Sequence, residues 1–197
     1  MISHRYKFIF IHIPRTGGTS VESLLRDESC ELLSNQWHPT VRHAPLNHLT
    51  LQEMIDHGFV SVETLRSYFK FCFVRNPWDR AVSEAAYLGG ILGGDDLTAK
   101  LSRMLERDTY GNHIRPQVEF IDTSHGVGVD FIGRFETLQR DVDKVCAVLG
   151  LPRRRLSLRN GTAHRPYWTC YDDVLRRKVE MKYACDIERF AYRFLPR

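Results

Sequence analysis

A chain of 197 residues that is 43% hydrophobic and 26% charged fits one globular domain, residues 1–197, with enough apolar side chains for a sizeable core. Its net charge of +4 is too mild to select a partner, and the only dense basic cluster, Arg153–Arg155 before Arg159, reads as a solvated turn, so no nucleic acid is expected. Five cysteines (Cys30, Cys72, Cys146, Cys170, Cys185) show neither a CxxC pair nor a metal-ligand spacing, and the apolar run 8–13 is too short for a membrane span. The expectation is a soluble, cytoplasmic protein in a reducing compartment, with no metal and no membrane span.

In chain order, Tyr6–Ile13 is a β-branched and aromatic run that stops at Pro14 and a glycine pair and gives way to Val21, Leu24 and Leu25, which predicts strand, glycine-rich turn, helix. Residues 27–49 are polar and irregular, with His38, His43 and His48 spread along them, and long loops of this kind are often functional. Thr50 followed by Glu53 is a capping-box pattern for a helix to about His57, and a second short helix is expected over Val62–Tyr68.

Lys70–Val74 reads as a second buried strand. Asn76 and Pro77 then supply an N-cap and a first-turn proline for a helix carrying Ala81, Val82, Ala85 and Ala86. After the glycine-rich stretch Gly89–Gly94, residues 96–107 and 138–149 have helical spacing, with a strand expected over Asp130–Phe135. The Arg153–Arg165 piece reads as a loop and Asp172–Phe194 as mostly helix. This alternation predicts an α/β fold, a P-loop-like three-layer sandwich with a central, mostly parallel sheet flanked by helices.

Two segments carry chemistry. In Ile13–Ser20 (IPRTGGTS) the glycines allow close backbone approach at a helix N-terminus, where N–H groups converge on an anion; Thr16, Thr19 and Ser20 add hydroxyl donors. A Walker A loop would need a lysine before Thr19 and an earlier glycine, and this segment has neither. In Phe73–Ser83 (FVRNPWDRAVS), Arg75 falls at the C-terminal end of a strand, where open α/β sheets bind ligands, and Ser83 lies two turns into the next helix. A guanidinium and a hydroxyl so placed suit a second phosphate, with Arg80 the surface residue of the segment.

Together, His12–Ser20 and Val74–Ser83 resemble the paired phosphate motifs of sulfotransferases that use 3′-phosphoadenosine-5′-phosphosulfate (PAPS), specifically the heparan sulfate 2-O-sulfotransferase-like and small bacterial branch. Weaker likenesses follow at Gly133–Leu138, Arg159–Arg165 and Asp186–Tyr192. The resemblance implies a PAPS donor and PAP product. The 5′-phosphosulfate would lie on Arg15, Thr16, Gly17, Gly18, Thr19 and Ser20, and the 3′-phosphate on Arg75 and Ser83, with Arg165 in a closing loop adding a further contact. It also implies a general base between the two motifs: His48 is the match by pattern and distance, and His43 the runner-up. Many relatives carry lysine where this chain has Arg15, which can neutralise charge on the leaving oxygen but stays protonated.

The expected function is sulfuryl transfer from PAPS to a hydroxyl or amine of a small-molecule or carbohydrate acceptor. The acceptor contacts would come from the variable loops 27–49, 87–95 and 108–128. Two alternatives share the same anion cradle: a P-loop-like nucleotide kinase, which would bind ATP with Mg²⁺, and a non-catalytic module that holds PAP or a sulfated glycan.

Overall fold

The computed structural model describes residues 1–26, 30–31, 45–92, 96–106, 111–157, 159, 161 and 164–195. Its centre is a five-stranded sheet in the order β3-β1-β2-β4-β5, with β1 Ile2–Ser3, β2 Phe8–Ile11, β3 Cys30–Glu31, β4 Phe69–Val74 and β5 Phe131–Arg134. The sheet is mostly parallel, as expected: β2, β4 and β5 run parallel, and β1 is reversed, antiparallel to both β2 and β3. The two extra strands are two residues long, too short to leave a period-2 signal.

Helices cover both faces. They are α1 Gly18–Leu25, α2 Leu51–Asp56, α3 Val62–Ser67, α4 Pro77–Leu92, α5 Leu97–Glu106, α6 Leu138–Val148, α7 Asp173–Lys182 and α8 Ala184–Arg189. Strand alternation sorts the core into two. Phe8, Phe10, Phe71 and Phe73 face α1 and α6 and pack with Val21, Leu25, Val142 and Val145. Ile9, Ile11, Cys72 and Val74 face the opposite way, onto a larger cluster that includes Met54, Trp78, Val82, Leu101 and Val179. Because both faces of β2 and β4 are buried, these strands read as continuous apolar runs rather than as alternating ones.

The Thr50 capping box is present in both directions: Glu53 N–H donates to Thr50 Oγ1 at 3.1 Å and Thr50 N–H donates to Glu53 Oε2 at 2.8 Å. Asn76 caps α4 by accepting from the Trp78 N–H at 3.1 Å, with Pro77 in the first turn. Two boundaries differ from expectation. Helix α4 continues through Gly89 and Gly90 to Leu92, and the C-terminal helix divides into α7 and α8 at Tyr183. Glycine's cost within a helix is about 1 kcal/mol, small against the burial of the apolar face of α4.

Candidate functional site

The C-terminal ends of the parallel strands β2 and β4 lead into the two predicted motifs, and the structure brings those motifs together. Past β2, Arg15 takes a left-handed φ of 64° and Gly17 one of 87°, which turns the chain sharply into α1. Gly17 is needed for space as well as for φ, since a Cβ there would lie 2.7 Å from Leu138 Cδ2. At Gly18 a Cβ would fall 2.0 Å from the His12 ring, so the helix can start here only without a side chain. The first N–H groups of α1 have no carbonyl ahead of them in the helix and are left facing this turn.

Arg75 and Arg15 join the two segments across 60 residues of sequence: Arg75 NH1 donates to the Arg15 carbonyl at 3.1 Å. Arg75 lies over the Phe135 ring at 4.0 Å, and its Nε donates to Asp79 at 2.8 Å. Arg15 donates from both Nε and NH2 to Ser83 Oγ at 3.3 Å and lies over Tyr87 at 4.6 Å. The hydroxyl of Ser83 thus meets the guanidinium of Arg15, where the sequence reading paired it with Arg75. Burial lowers the Arg15 pKa and the charge of nearby Glu84 works in the opposite direction.

Of the expected hydroxyl donors, Thr16 is fully buried and its Oγ1 donates inward to the Ile13 carbonyl at 2.8 Å. Ser20 Oγ accepts from the Arg159 N–H at 2.9 Å, which draws the arginine-rich loop against the glycine turn. Thr19, in the first turn of α1, is partly exposed. Arg80 corrects the surface expectation. It is 2% exposed and clamps two segments, donating to the carbonyls of Pro14 at 3.0 Å, Arg115 at 2.9 Å and His113 at 3.0 Å.

Beside this turn stands a row of three imidazoles. The His48 ring packs edge-on against His12 at 4.6 Å and against His113 at 5.0 Å. Each outer ring is held by a carboxylate: His12 Nδ1 lies 2.9 Å from Glu22 Oε1, and His113 Nδ1 lies 3.1 Å from Glu84 Oε1. For Glu22, burial would raise the pKa, but the hydrogen bond and charge of His12 outweigh it and hold the carboxyl below its usual range. The middle ring donates from Nδ1 to the His12 carbonyl at 2.9 Å, and because a carbonyl only accepts, the Nδ1 proton is fixed. Burial first, then the neighbouring His12 and His113, push His48 well below the ordinary histidine pKa, so it is neutral at pH 7.

A second layer supports the row. Asn112 Nδ2 donates to the His48 carbonyl at 2.8 Å and to Glu53 Oε2 at 3.0 Å, and Arg115 pairs with Glu53 at 2.7 Å. The capping-box glutamate therefore also anchors the segment that carries His113.

The model of a family described as the sulfotransferase family matches residues 1–87 and 96–193, a span that takes in both motifs and the three histidines of the row. The chain belongs to the sulfotransferase family. An uncharacterized protein of Archaeoglobus fulgidus is 34% identical over 96 residues, covering 49% of this chain and 78% of that relative. No solved structure matches.

Within this sulfotransferase-family chain, the site gathers Arg15, Gly17, Gly18, Ser20, Arg75, Ser83 and His48 from the sequence expectations. Arg165 is placed otherwise: its guanidinium donates to Thr98 at 3.1 Å and to Cys170 Sγ at 3.3 Å, and the loop residue at Arg75 is His164, whose Nε2 is 3.4 Å from Arg75 NH2. His38 and His43 lie outside the described residues. Sequence reasoning missed Glu84 and His113, which stand 29 positions apart in no motif. The hint in the sequence is that Glu84 directly follows Ser83, the motif residue on the same helix. Among the described residues, no helix is long and apolar enough to cross a membrane.

Proposed function

We propose that this protein transfers a sulfuryl group from PAPS to a hydroxyl or amine of a small-molecule or carbohydrate acceptor and releases PAP. The observation that carries this reading is the junction of the two phosphate motifs. Arg75 holds the Arg15 carbonyl and Arg15 holds Ser83, so two guanidiniums and a glycine turn share one site. The fit to the donor rests on the glycine turn at the N-terminus of α1 and on cations that match a ligand with phosphates at two positions.

In this reading the turn 14–20 is a P-loop-like anion cradle: the N–H groups of Gly17, Gly18 and Thr19 bind phosphosulfate oxygens, with Thr19 and Ser20 at the rim. Thr16 contributes by fixing the turn from inside, through its bond to the Ile13 carbonyl. Arg15 neutralises charge on the leaving oxygen, and Arg75, with His164 beside it, takes the 3′-phosphate. Ser83 orients Arg15. Arg165 would reach the donor only by leaving both Thr98 and Cys170.

PAPS supplies an activated sulfur–oxygen bond, so the protein's tasks are positioning, charge stabilisation and removal of the acceptor's proton. An imidazole of the row suits the last task because a neutral ring carries one bare nitrogen that can accept a proton. His48 is the ring that the motif resemblance singles out. The nucleotide-kinase and binding-only readings gain no support from the family to which the chain belongs.

The experiment is incubation of the protein with PAPS and a panel of hydroxyl and amine acceptors, read by mass spectrometry. Formation of PAP together with an acceptor heavier by one sulfuryl group is the expected result. ATP consumption with Mg²⁺, and none of PAPS, would replace this reading with the kinase one.

A further inference from the structure

We infer that His113, held by Glu84, is the imidazole that receives the acceptor's proton, and that His48 is a positioning residue behind it. This rests on the sulfuryl-transfer reading and names a catalytic residue that neither motif contains.

The His113 ring is held in one state by Glu84. Both oxygens of Glu84 lie against its Nδ1, at 3.1 and 3.2 Å, and the Glu84 side chain is 1% exposed. A buried carboxylate needs a partner for its charge, and a carboxylate only accepts hydrogen bonds. The Nδ1 proton is thereby fixed, and in the neutral ring the lone pair is on Nε2. Among the described residues none hydrogen-bonds that Nε2, and the His113 side chain is 24% exposed, so the ring is not sealed in the core as His48 is.

The Tyr87 ring lies parallel to His113, at 8° and 6.4 Å, and the Arg15 guanidinium lies over Tyr87. Glu84 and Tyr87 are both on α4 with Ser83, which holds Arg15. His113 is therefore fixed to the same helix face as the cation that would meet the leaving group.

His48 is less suited to touching an acceptor. It is 8% exposed and stands between two other rings. Its Nδ1 is bound to the His12 carbonyl at 2.9 Å, and its Nε2 faces the Asn47 amide at 3.4 Å. What it does structurally is hold the end of β2 and the edge of the His113 ring.

The step balances as follows. The acceptor oxygen gives its proton to His113 Nε2 and forms a bond to sulfur; the bond from sulfur to the bridging oxygen breaks. The electron pair leaves on the 5′-phosphate oxygen of PAP, beside Arg15. The imidazolium formed is paired with Glu84 and returns its proton from Nε2 to solvent.

The test compares His113→Asn, His48→Asn and Glu84→Gln in the full chain. Asparagine keeps a donor where each Nδ1 stood and removes Nε2, so the two variants separate holding a hydrogen bond from accepting a proton. Calorimetric titration with PAP checks that each variant is folded and retains its donor site. Turnover is read as PAP released from PAPS with the acceptor panel, and ¹⁵N resonances of the imidazoles report the tautomer.

His113→Asn should lower kcat by about 100-fold or more with PAP affinity unchanged, as expected for loss of a general base. His48→Asn should lower it by less than about tenfold. Glu84→Gln should lower kcat with little change in the PAPS KM, and His113 should lose its single Nδ1–H signature. If His48→Asn silences turnover while His113→Asn turns over normally, or if wild-type His113 carries its proton on Nε2, the inference is overturned. If the wild type itself binds no PAP, the sulfuryl-transfer reading fails and takes this inference with it.

Discussion

Arg15 is constrained in both its backbone and its side chain. Its backbone sits in the left-handed region, where a non-glycine residue costs about 1–2 kcal/mol, and its guanidinium is held by Ser83 and by the Tyr87 ring. Replacement by lysine keeps the charge but loses the two-nitrogen grip on Ser83. Arg15→Lys is expected to retain PAP binding and to turn over within about tenfold of wild type, whereas Arg15→Ala should lose about 10²–10³ in kcat for want of a charge at the leaving oxygen. Steady-state rates with PAPS separate the two. Gly18 makes a second test, because a Cβ there meets the His12 ring and would drive it from Glu22. Gly18→Ala should destabilise the fold by about 1–3 kcal/mol, seen in thermal melts, and weaken PAP in the same protein. The two arginines and the glycines stand out in the sequence because they fall in two contiguous strings, and His48 because of the resemblance. Glu84 and His113 do not, because their pairing is made by the approach of α4 to the 111–113 turn and leaves no spacing to read. Arg80 was misjudged for a related reason: its burial comes from three backbone carbonyls, which sequence patterns do not display.

At the scale of elements, the cap signals were the most informative. The Thr50–Glu53 box and the Asn76–Pro77 start describe short-range hydrogen bonds, and both are present. Asn76 has a second duty, since its Nδ2 donates to the Arg193 carbonyl at 3.1 Å and ties the C-terminal tail to the start of α4. Asn76→Ala should therefore cost at least the roughly 1 kcal/mol of an ordinary N-cap, measured by chemical denaturation. Asp141 plays the matching part at the junction of β5 and α6. It accepts from the Arg134 N–H at 3.0 Å, Thr137 Oγ1 at 2.7 Å and Lys144 Nζ at 2.7 Å. Burial pushes its carboxyl up, but these three partners outweigh burial and bring it down to about 2. A carboxylate whose folded pKa is depressed stabilises the fold above the unfolded value near 4 and loses that contribution as pH falls towards 2. Asp141→Asn is expected to lower the melting temperature at pH 7 and to flatten the acid limb of stability between about pH 4 and 2. What the sequence could not supply was the two-residue strands β1 and β3, which exist only as partners of other strands.

At the scale of the whole molecule, the order of the parallel strands accounts for the site. Placing β2 beside β4 puts the turn after one strand next to the turn after the other, and the Arg75–Arg15 bond follows from that adjacency. The two cores hold this arrangement from opposite faces: a phenylalanine-rich layer under α1 and α6, and a larger aliphatic layer under α2, α4, α5 and α7. Calorimetric titration with PAP, run beside ATP with Mg²⁺ on wild type and Arg75→Ala, tests the central claim most directly. The account predicts micromolar binding of PAP, weakened strongly by Arg75→Ala, and no response to Mg-ATP. No binding of PAP, or a preference for Mg-ATP, would contradict it.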